Sequence, residues 1–372
     1  MTKVDIFSGF LGAGKTTLIK KLIAEAYGDE KLVLIENEFG EIGIDGGFLK
    51  ETGVQVNEMN SGCICCTLVG DFGRALQQVI DEYAPQRILI EPSGVGKLSD
   101  VIIAVQDLHN ENIELNGFTT VVDAKKCKFY MKNFGEFYEN QVEHASSIIL
   151  SHVDGMDQKK LDECIEILRA HNDSASIVTT SWDEISGAQI LETMEQKKTL
   201  SAELDKLREE AYAHEHEHHH HHHDHDHDHE EHEHDHEEHE HEHHEHHHHD
   251  HDHEEHEHEH HHEHHHHDHD HDHDHHGHHH ADEVFSEIGV HTAHKYTKQQ
   301  IEDALRVLDN FTECGQVLRA KGIVEGEDGS WLHFDYVPGE GEVREGTAET
   351  TGMICVIGVD LEEERIKELF SL

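Results

Sequence analysis

The sequence predicts an α/β fold, in which a mostly parallel sheet is flanked by helices, followed by a small C-terminal α+β domain. Six short apolar runs alternate with amphipathic stretches that have helical spacing. The apolar runs are residues 4–7, 32–35, 88–90, 118–122, 148–150 and 176–178. The amphipathic stretches are residues 15–27, 68–83, 136–145 and 158–171. This alternation favours a parallel sheet with helices on both faces.

The C-terminal part has a different pattern. Apolar runs at residues 315–324, 330–336 and 353–359 predict strands, and the first two are joined by the turn sequence GEDGS. Residues 297–308 and 362–370 have helical spacing. We therefore predict four segments. They are an N-terminal nucleotide-binding domain (1–196), a connecting segment (197–213) with a polar helix over about residues 200–212, a histidine-rich tract (214–280) and a C-terminal domain (284–372).

The histidine-rich tract runs from His214 to His280 and contains 41 His, 25 Asp or Glu and one Gly. It has no apolar residue to bury, so we expect it to be disordered without a ligand. Neutral imidazole is a common ligand of Zn²⁺, Ni²⁺ and Co²⁺. At roughly four donors per ion, the tract has ligands for on the order of ten ions. The alternative interpretation is a solvated low-complexity spacer.

The charge of the chain argues against two classes of partner. The formal net charge is −53, and it is still −28 without the 25 acids of the tract. An acidic surface repels phosphate backbones and anionic lipids, so we expect no nucleic-acid or membrane-surface binding. The N-terminal residues have no signal-peptide pattern, and no run of about 18 apolar residues predicts a membrane span. Seven cysteines, an odd number, indicate a reducing compartment, and we expect a cytoplasmic protein.

A phosphate-binding motif follows the first apolar run. GFLGAGKTT, residues 9–17, fits G-x-x-x-x-G-K-[ST] and lies between a predicted strand and a predicted helix. This context predicts a P-loop NTPase fold, in which Lys15 binds the β- and γ-phosphates and the Thr16 hydroxyl binds Mg²⁺. The alternative is a glycine-rich turn that only opens a helix. The predicted nucleotide-binding residues of this loop are Gly9, Gly12, Ala13, Gly14, Lys15, Thr16 and Thr17.

Two later strand ends complete the predicted nucleotide site. The run 88–90 leads into EPSG, where Glu91 can order the Mg²⁺ shell or the attacking water, and Gly94 can offer its backbone N–H to the γ-phosphate. The run 148–150 leads into SHVD, whose Ser151, His152 and Asp154 are predicted nucleotide-binding residues. Its Asp154 can accept the donor pair of guanine, whereas adenine has an acceptor at the corresponding position. The alternative role of Asp154 is that of a helix-capping or turn residue.

Together these residues resemble the CobW family of P-loop GTPases, which are related to the GTPases that serve nickel insertion into hydrogenase and urease. The matching motifs are GFLGAGKTT, ENEFGEIGID (36–45), GCICC (62–66), EPSG, VVDA (121–124), RAKGIV (319–324) and WLHFDY (331–336). The resemblance covers all of the chain except the histidine-rich tract. One position departs from the family pattern [NST]-K-x-D, because His152 replaces the lysine whose stem covers the base.

The motif GCICC contains Cys63, Cys65 and Cys66, which could form a disulfide, a redox pair, structural thiols or a metal site. The thiols precede the predicted helix at residue 68, and a helix N-terminus favours thiolates. Thiolates together with carboxylates suit Zn²⁺ or Co²⁺ better than Mg²⁺. The resemblance implies that Glu36 and Glu41 join Cys65 in a metal site, within a segment that responds to the nucleotide.

The function that the resemblance implies is that of a metal-regulated GTPase. Such a protein hydrolyses GTP with Mg²⁺ to gate delivery of Zn²⁺ or Co²⁺, with Ni²⁺ as a further candidate cargo. The recipient would be a metalloenzyme client or a cobalamin-pathway enzyme, and a homodimer is a candidate assembly. Two alternatives stay open on the residues alone. One is a metal buffer whose nucleotide site only regulates retention, and the other is a P-loop kinase.

Overall fold

The structure is a computed structural model that describes residues 1–37, 55–59, 69–196 and 281–372. Seven parallel strands form the N-terminal sheet in the order β3-β2-β4-β1-β5-β6-β7. The strands are β1 Thr2–Ser8, β2 Leu32–Asn37, β3 Gln55–Met59, β4 Arg87–Glu91, β5 Ile113–Asp123, β6 Ser147–Ser151 and β7 Ser176–Val178. The parallel sheet predicted from the alternating pattern is confirmed.

Helices flank this sheet and supply the apolar faces that it needs on both sides. The helices are Lys15–Glu25, Val69–Tyr83, Leu98–Gln106, Cys127–Asn133, Gly135–Glu143, Gln158–His171 and Gly187–Met194. Two separate clusters of buried side chains result. Phe118 and Ile148 belong to one of them, whereas Phe7 and Leu18 belong to the other. The central strands are therefore buried on both faces, which explains their continuous apolar runs.

Five antiparallel strands form the C-terminal sheet in the order β11-β10-β9-β12-β8. They are β8 Ser286–Thr292, β9 Gln316–Glu325, β10 Trp331–Val337, β11 Glu340–Glu345 and β12 Gly352–Val359. The accompanying helices are Ala281–Val284, Lys298–Val307, Phe311–Cys314 and Glu363–Leu369. Phe334 of β10 stacks on Phe370 with ring centroids 5.7 Å apart, within the core between the sheet and its helices. The predicted C-terminal α+β architecture is confirmed.

The sequence patterns missed several elements. They are β3, β8 and β11 and the helices Leu98–Gln106, Cys127–Asn133, Gly187–Met194, Ala281–Val284 and Phe311–Cys314. The predicted connecting helix and the histidine-rich tract lie outside the described residues, and the four segment boundaries stay predictions. Within the part of the chain that the structure describes, no helix has the length and apolar character to cross a membrane.

The amino ends of the central strands carry a buried ionic network. The guanidinium of Arg87, which is 1% exposed, pairs with the carboxylate of Asp5 and donates to Glu30 Oε2 at 2.7 Å and Glu195 Oε1 at 3.0 Å. Burial raises the pKa of Asp5, and the Arg87 charge opposes that shift. Paired charges thus occupy the amino-terminal end of the sheet. A ligand is expected at the opposite end, because open α/β sheets bind ligands at the carboxyl ends of their strands.

Candidate functional site

The phosphate-binding motif forms the loop between β1 and the helix Lys15–Glu25, as predicted. Its glycines Gly9, Gly12 and Gly14 have φ values of 140°, 73° and 99°, which few residues with a Cβ adopt. Lys15 is buried, and its Nζ donates to the backbone oxygen of Gly9 at 2.8 Å. A curled loop with a lysine at the start of a helix is an arrangement that can hold phosphate groups.

Thr16 and Glu91 come together beside this loop. Thr16 Oγ1 lies 3.0 Å from Glu91 Oε1 and 3.2 Å from Glu91 Oε2. They meet because β1 and β4 are adjacent and parallel, with Ile6 opposite Ile90, so that their carboxyl ends share one edge. A hydroxyl oxygen and a carboxylate are the hard donors that Mg²⁺ prefers. The two predicted Mg²⁺ ligands thus fit that ion chemically.

Gly94 of the EPSG sequence lies directly against the phosphate-binding loop. A Cβ on Gly94 would lie 2.9 Å from the backbone nitrogen of Leu11, so there is no space for a side chain. The buried Gln141 donates from Nε2 to the backbone oxygens of Gly94 at 3.1 Å and Gly96 at 2.8 Å. Gln141 was not identified from the sequence, because a single glutamine in a helix has no motif.

The SHVD sequence is tied to the same loop at its start. Ser151 Oγ donates to the backbone oxygen of Ala13 at 2.6 Å. His152 and Asp154 are exposed, and His152 has a φ of 55° in the left-handed region. The hydroxyl of Ser181 donates to Asp154 Oδ1, which holds the carboxylate in place. The predicted base-reading residues therefore lie at one end of the phosphate-binding loop.

Trp182 is a second residue that sequence reasoning missed at this end of the site. Its Nε1 donates to the backbone oxygen of Leu150 at 2.9 Å. Its ring lies 3.2 Å from the position of a Cβ on Gly14, so the indole packs against the phosphate-binding loop. The signal was weak, since Ser181 and Trp182 follow the short strand β7 without a recognised pattern.

Glu36 is the predicted metal ligand that the structure describes. It is buried near the end of β2, and its partner in the adjacent parallel strand is Glu91. Neighbouring strands are about 4.8 Å apart, and paired residues point to the same face. The two predictions, a metal ligand at Glu36 and a nucleotide-site carboxylate at Glu91, therefore fall on adjacent residues of the sheet.

The other predicted metal ligands are Glu41, Cys63, Cys65 and Cys66 and the tract from His214 to His280, and they lie outside the described residues. Within the described ranges, no group of three or more His, Cys, Asp or Glu side chains is arranged to hold a metal ion. The metal site thus remains a prediction, and Glu36 is the one of its proposed ligands whose position the structure describes.

Two protein-family models match the chain. Residues 3–179 match the family model "CobW/HypB/UreG, nucleotide-binding domain", and residues 285–371 match "Cobalamin synthesis protein cobW C-terminal domain". The chain is 31% identical over 155 residues to the zinc chaperone YeiR of Escherichia coli, covering 41% of this chain and 47% of that protein. It is 39% identical over 128 residues to the zinc chaperone CobW of Sinorhizobium sp, covering 32% and 36%.

A eukaryotic relative is the zinc-regulated GTPase metalloprotein activator 1 of Schizosaccharomyces pombe, 27% identical over 213 residues, covering 54% of this chain and 51% of that protein. The matches to these three relatives span between about a third and a half of each relative's length.

Proposed function

The chain belongs to the CobW/HypB/UreG family, whose nucleotide-binding and C-terminal domain models match 177 and 87 of its 372 residues, and on this premise we propose that it is a metal-regulated GTPase that delivers Zn²⁺ or Co²⁺ to a client protein. The observation that carries the proposal is the pairing of Glu36 with Glu91 across β2 and β4. It puts a predicted cargo ligand beside a predicted catalytic carboxylate. The names of the zinc chaperones support the same class of function.

The hydrolytic part of the proposal assigns a role to each side chain of the site. Lys15 binds the β- and γ-phosphates, and its position is set by the contact with Gly9. Glu91 accepts a hydrogen bond from the Thr16 hydroxyl in this structure, and we assign to its carboxylate the orientation of the attacking water. Mg²⁺ held by Thr16 and Glu91 would offset the negative charge of the phosphates. Gly94 lies against the loop through Leu11, where its N–H serves the γ-phosphate.

The base preference of the site supplies a first prediction. We expect GTP to bind at least about tenfold more tightly than ATP, which corresponds to roughly 1.4 kcal/mol, because Asp154 accepts two donors from guanine. Asp154→Ala should remove the preference, and His152→Lys should increase it, since a lysine stem covers more of the base. Competition of GTP and ATP against a fluorescent nucleotide measures both effects.

Asp157→Ala is the matched control for this experiment. Asp157 is also exposed and lies three residues further on, but its side chain caps the helix Gln158–His171. The control should lose a little stability, about 1 kcal/mol, and keep the preference for GTP. Equal competition by ATP in the parent protein contradicts the guanine assignment.

The metal-gating part of the proposal rests on the position of Glu36. Cargo bound by Glu36, Glu41 and the thiols of GCICC would lie next to Glu91, so a change at the γ-phosphate can alter the metal site through adjacent backbone. Such coupling is reciprocal, because metal must change GTP affinity by the factor by which GTP changes metal affinity. Coupling between sites is usually about 1–3 kcal/mol, or roughly 5- to 150-fold.

A second prediction tests this coupling directly. In a variant that lacks residues 214–280, we expect a folded GTPase with fewer bound ions and one tight Zn²⁺ or Co²⁺ site. Its metal affinity, measured against a chelator, should differ between GDP and a non-hydrolysable GTP analogue. Cys65→Ser should weaken the site, whereas Cys314→Ala, which removes a buried thiol of the C-terminal part, should not.

A metal buffer is the second candidate function, and the 41 histidines of the tract favour it. A buffer would bind metal without dependence on the nucleotide and would not transfer it to a client. Identical metal affinities with GDP and the GTP analogue, or full affinity in Cys65→Ser, would make the buffer the better description.

A further inference from the structure

The turn between β10 and β11 is held by side-chain hydrogen bonds within the C-terminal part. It spans Val337 to Glu340 and contains Gly339, whose φ is 81°. Asp309 Oδ1 accepts hydrogen bonds from the Tyr336 hydroxyl at 2.7 Å and from the Gly339 backbone N–H at 2.9 Å. Burial and the hydrogen bond to Asp309 raise the pKa of Tyr336, so the hydroxyl remains a donor. One carboxylate therefore fixes the turn on two sides.

This turn rests on the phosphate-binding loop. Gly12 has a φ of 73°, and a Cβ at Gly12 would lie 2.4 Å from Val337 Cγ1. Arg319 Nη1 lies 3.7 Å from the same position. Lys126 Nζ, which follows the VVDA sequence, lies 3.6 Å from Glu340 Oε2 at the other end of the turn. The C-terminal sheet thus contacts the loop at the glycine in its middle.

The start of the loop is held by a different set of contacts. Phe10 is buried among aromatic rings, with centroid distances of 4.6 Å to Tyr130 and 5.3 Å to Phe134. Phe285, which precedes β8, joins this cluster at 6.3 Å from Phe10. Residues of the C-terminal part therefore reach the loop through the ring of Phe285 as well as through Val337 and Arg319.

We propose that Val337, fixed by Asp309, is a positioning residue for the phosphate-binding loop, so that the C-terminal sheet sets the affinity of the nucleotide site. The inference rests on the proposed function of that site. A loop binds phosphate through backbone N–H groups, and any freedom of the loop must be lost on binding. Val337 restricts Gly12, the most conformationally free residue type, before the nucleotide arrives.

The test compares two Val→Ala variants of the full-length chain. Val337→Ala removes the contact with Gly12, whereas Val343→Ala, in the adjacent strand β11, removes the same two methyl groups from the core on the helix side of the sheet. We expect Val337→Ala to weaken GDP and GTP-analogue binding by roughly threefold to tenfold and to raise KM with little change in kcat. Val343→Ala should lower Tm and leave nucleotide affinity within about twofold of the parent.

Asp309→Ala is a second variant that acts on the turn, and Tm is measured with it because the buried Tyr336 hydroxyl also loses its acceptor. It leaves Val337 in place but removes both hydrogen bonds that fix the turn. We therefore expect it to bind nucleotide more weakly than the parent, as Val337→Ala does. Wild-type affinity in Val337→Ala overturns the proposal, as does an equal loss in Val343→Ala. Wild-type affinity in Asp309→Ala, with a loss in Val337→Ala, overturns the part of the proposal that assigns the position of the turn to Asp309. A parent protein that binds no nucleotide overturns the proposed function and this inference together. A parent that binds, with a Val337→Ala variant that binds equally, overturns only the inference.

Discussion

Lys15→Ala is expected to lower the affinity for GTP by roughly 10²- to 10⁴-fold while leaving the fold intact. Lys15 is buried at the start of its helix, and its ammonium already points back to the loop carbonyl of Gly9. Loss of a desolvated charge contact to the phosphates costs about 3–5 kcal/mol, and every 1.4 kcal/mol is a factor of ten. Loss of the hydrogen bonds from the ammonium to the backbone oxygens of Gly9 and Phe10 costs the fold about 1.5–3 kcal/mol, which is less than the stability of a typical domain.

The measurement is the dissociation constant of a GTP analogue, with circular dichroism and Tm as the check on folding. Lys21→Ala is the matched control, since Lys21 lies on the same helix and pairs with Glu25 at 2.8 Å on its surface. That pair contributes about 0.3–0.5 kcal/mol, so the control should bind GTP like the parent. Unchanged affinity in Lys15→Ala would falsify the assignment of this loop as the phosphate site.

The local parts of the site were predictable because each lies in one short motif. The curled loop depends on glycines that are adjacent in sequence, and Lys15 and Thr16 follow directly. Glu91 was proposed from the end of an apolar strand, and the structure places its carboxylate 3.0 Å from Thr16 Oγ1, whereas its role toward Mg²⁺ and water stays a prediction. Where a contact depends only on the order strand, turn, helix, the residues that make it can be read from the sequence.

Strand order was the first thing that the sequence could not show. The pairing of Glu36 with Glu91 requires β2 to lie beside β4, although β3 separates them along the chain. The contact between Gly12 and Val337 joins the two ends of the chain and carries no local signal. Gln141, Ser181 and Trp182 are single polar or aromatic residues whose roles depend on what surrounds them.

Missed elements have equally physical reasons. The helix Leu98–Gln106 contains the run VIIAV, whose β-branched residues are typical of strands, but five of its nine residues are buried and its packing decides the conformation. The strand β11 has the sequence EGEVRE and only Val343 is buried in it. A charged edge strand is stabilised by pairing with β10 rather than by an apolar pattern, so periodicity cannot detect it.

Glu91→Gln is expected to reduce GTP hydrolysis by about 10²- to 10³-fold while changing nucleotide affinity by less than about threefold. The substitution keeps the size of the side chain and one acceptor for Thr16 Oγ1, which lies within 3.2 Å of both carboxylate oxygens. It removes the negative charge that would orient the attacking water and complete the Mg²⁺ shell, and positioned groups of this kind contribute about 10²–10⁴ in rate. Ground-state contacts of the phosphates with Lys15 and the loop remain, so binding should persist.

Single-turnover hydrolysis over a range of Mg²⁺ concentrations separates the two roles of Glu91. If Glu91 acts through Mg²⁺, the variant should need more Mg²⁺ for its residual rate. If it acts on the water alone, the rate should fall at every Mg²⁺ concentration by the same factor. Glu192→Gln, an exposed carboxylate on the helix Gly187–Met194, is the control and should hydrolyse GTP like the parent. Parental turnover in Glu91→Gln contradicts the catalytic assignment. A loss of nucleotide affinity as large as the loss of rate contradicts it too, because a carboxylate that only supports the loop would lower affinity and rate together.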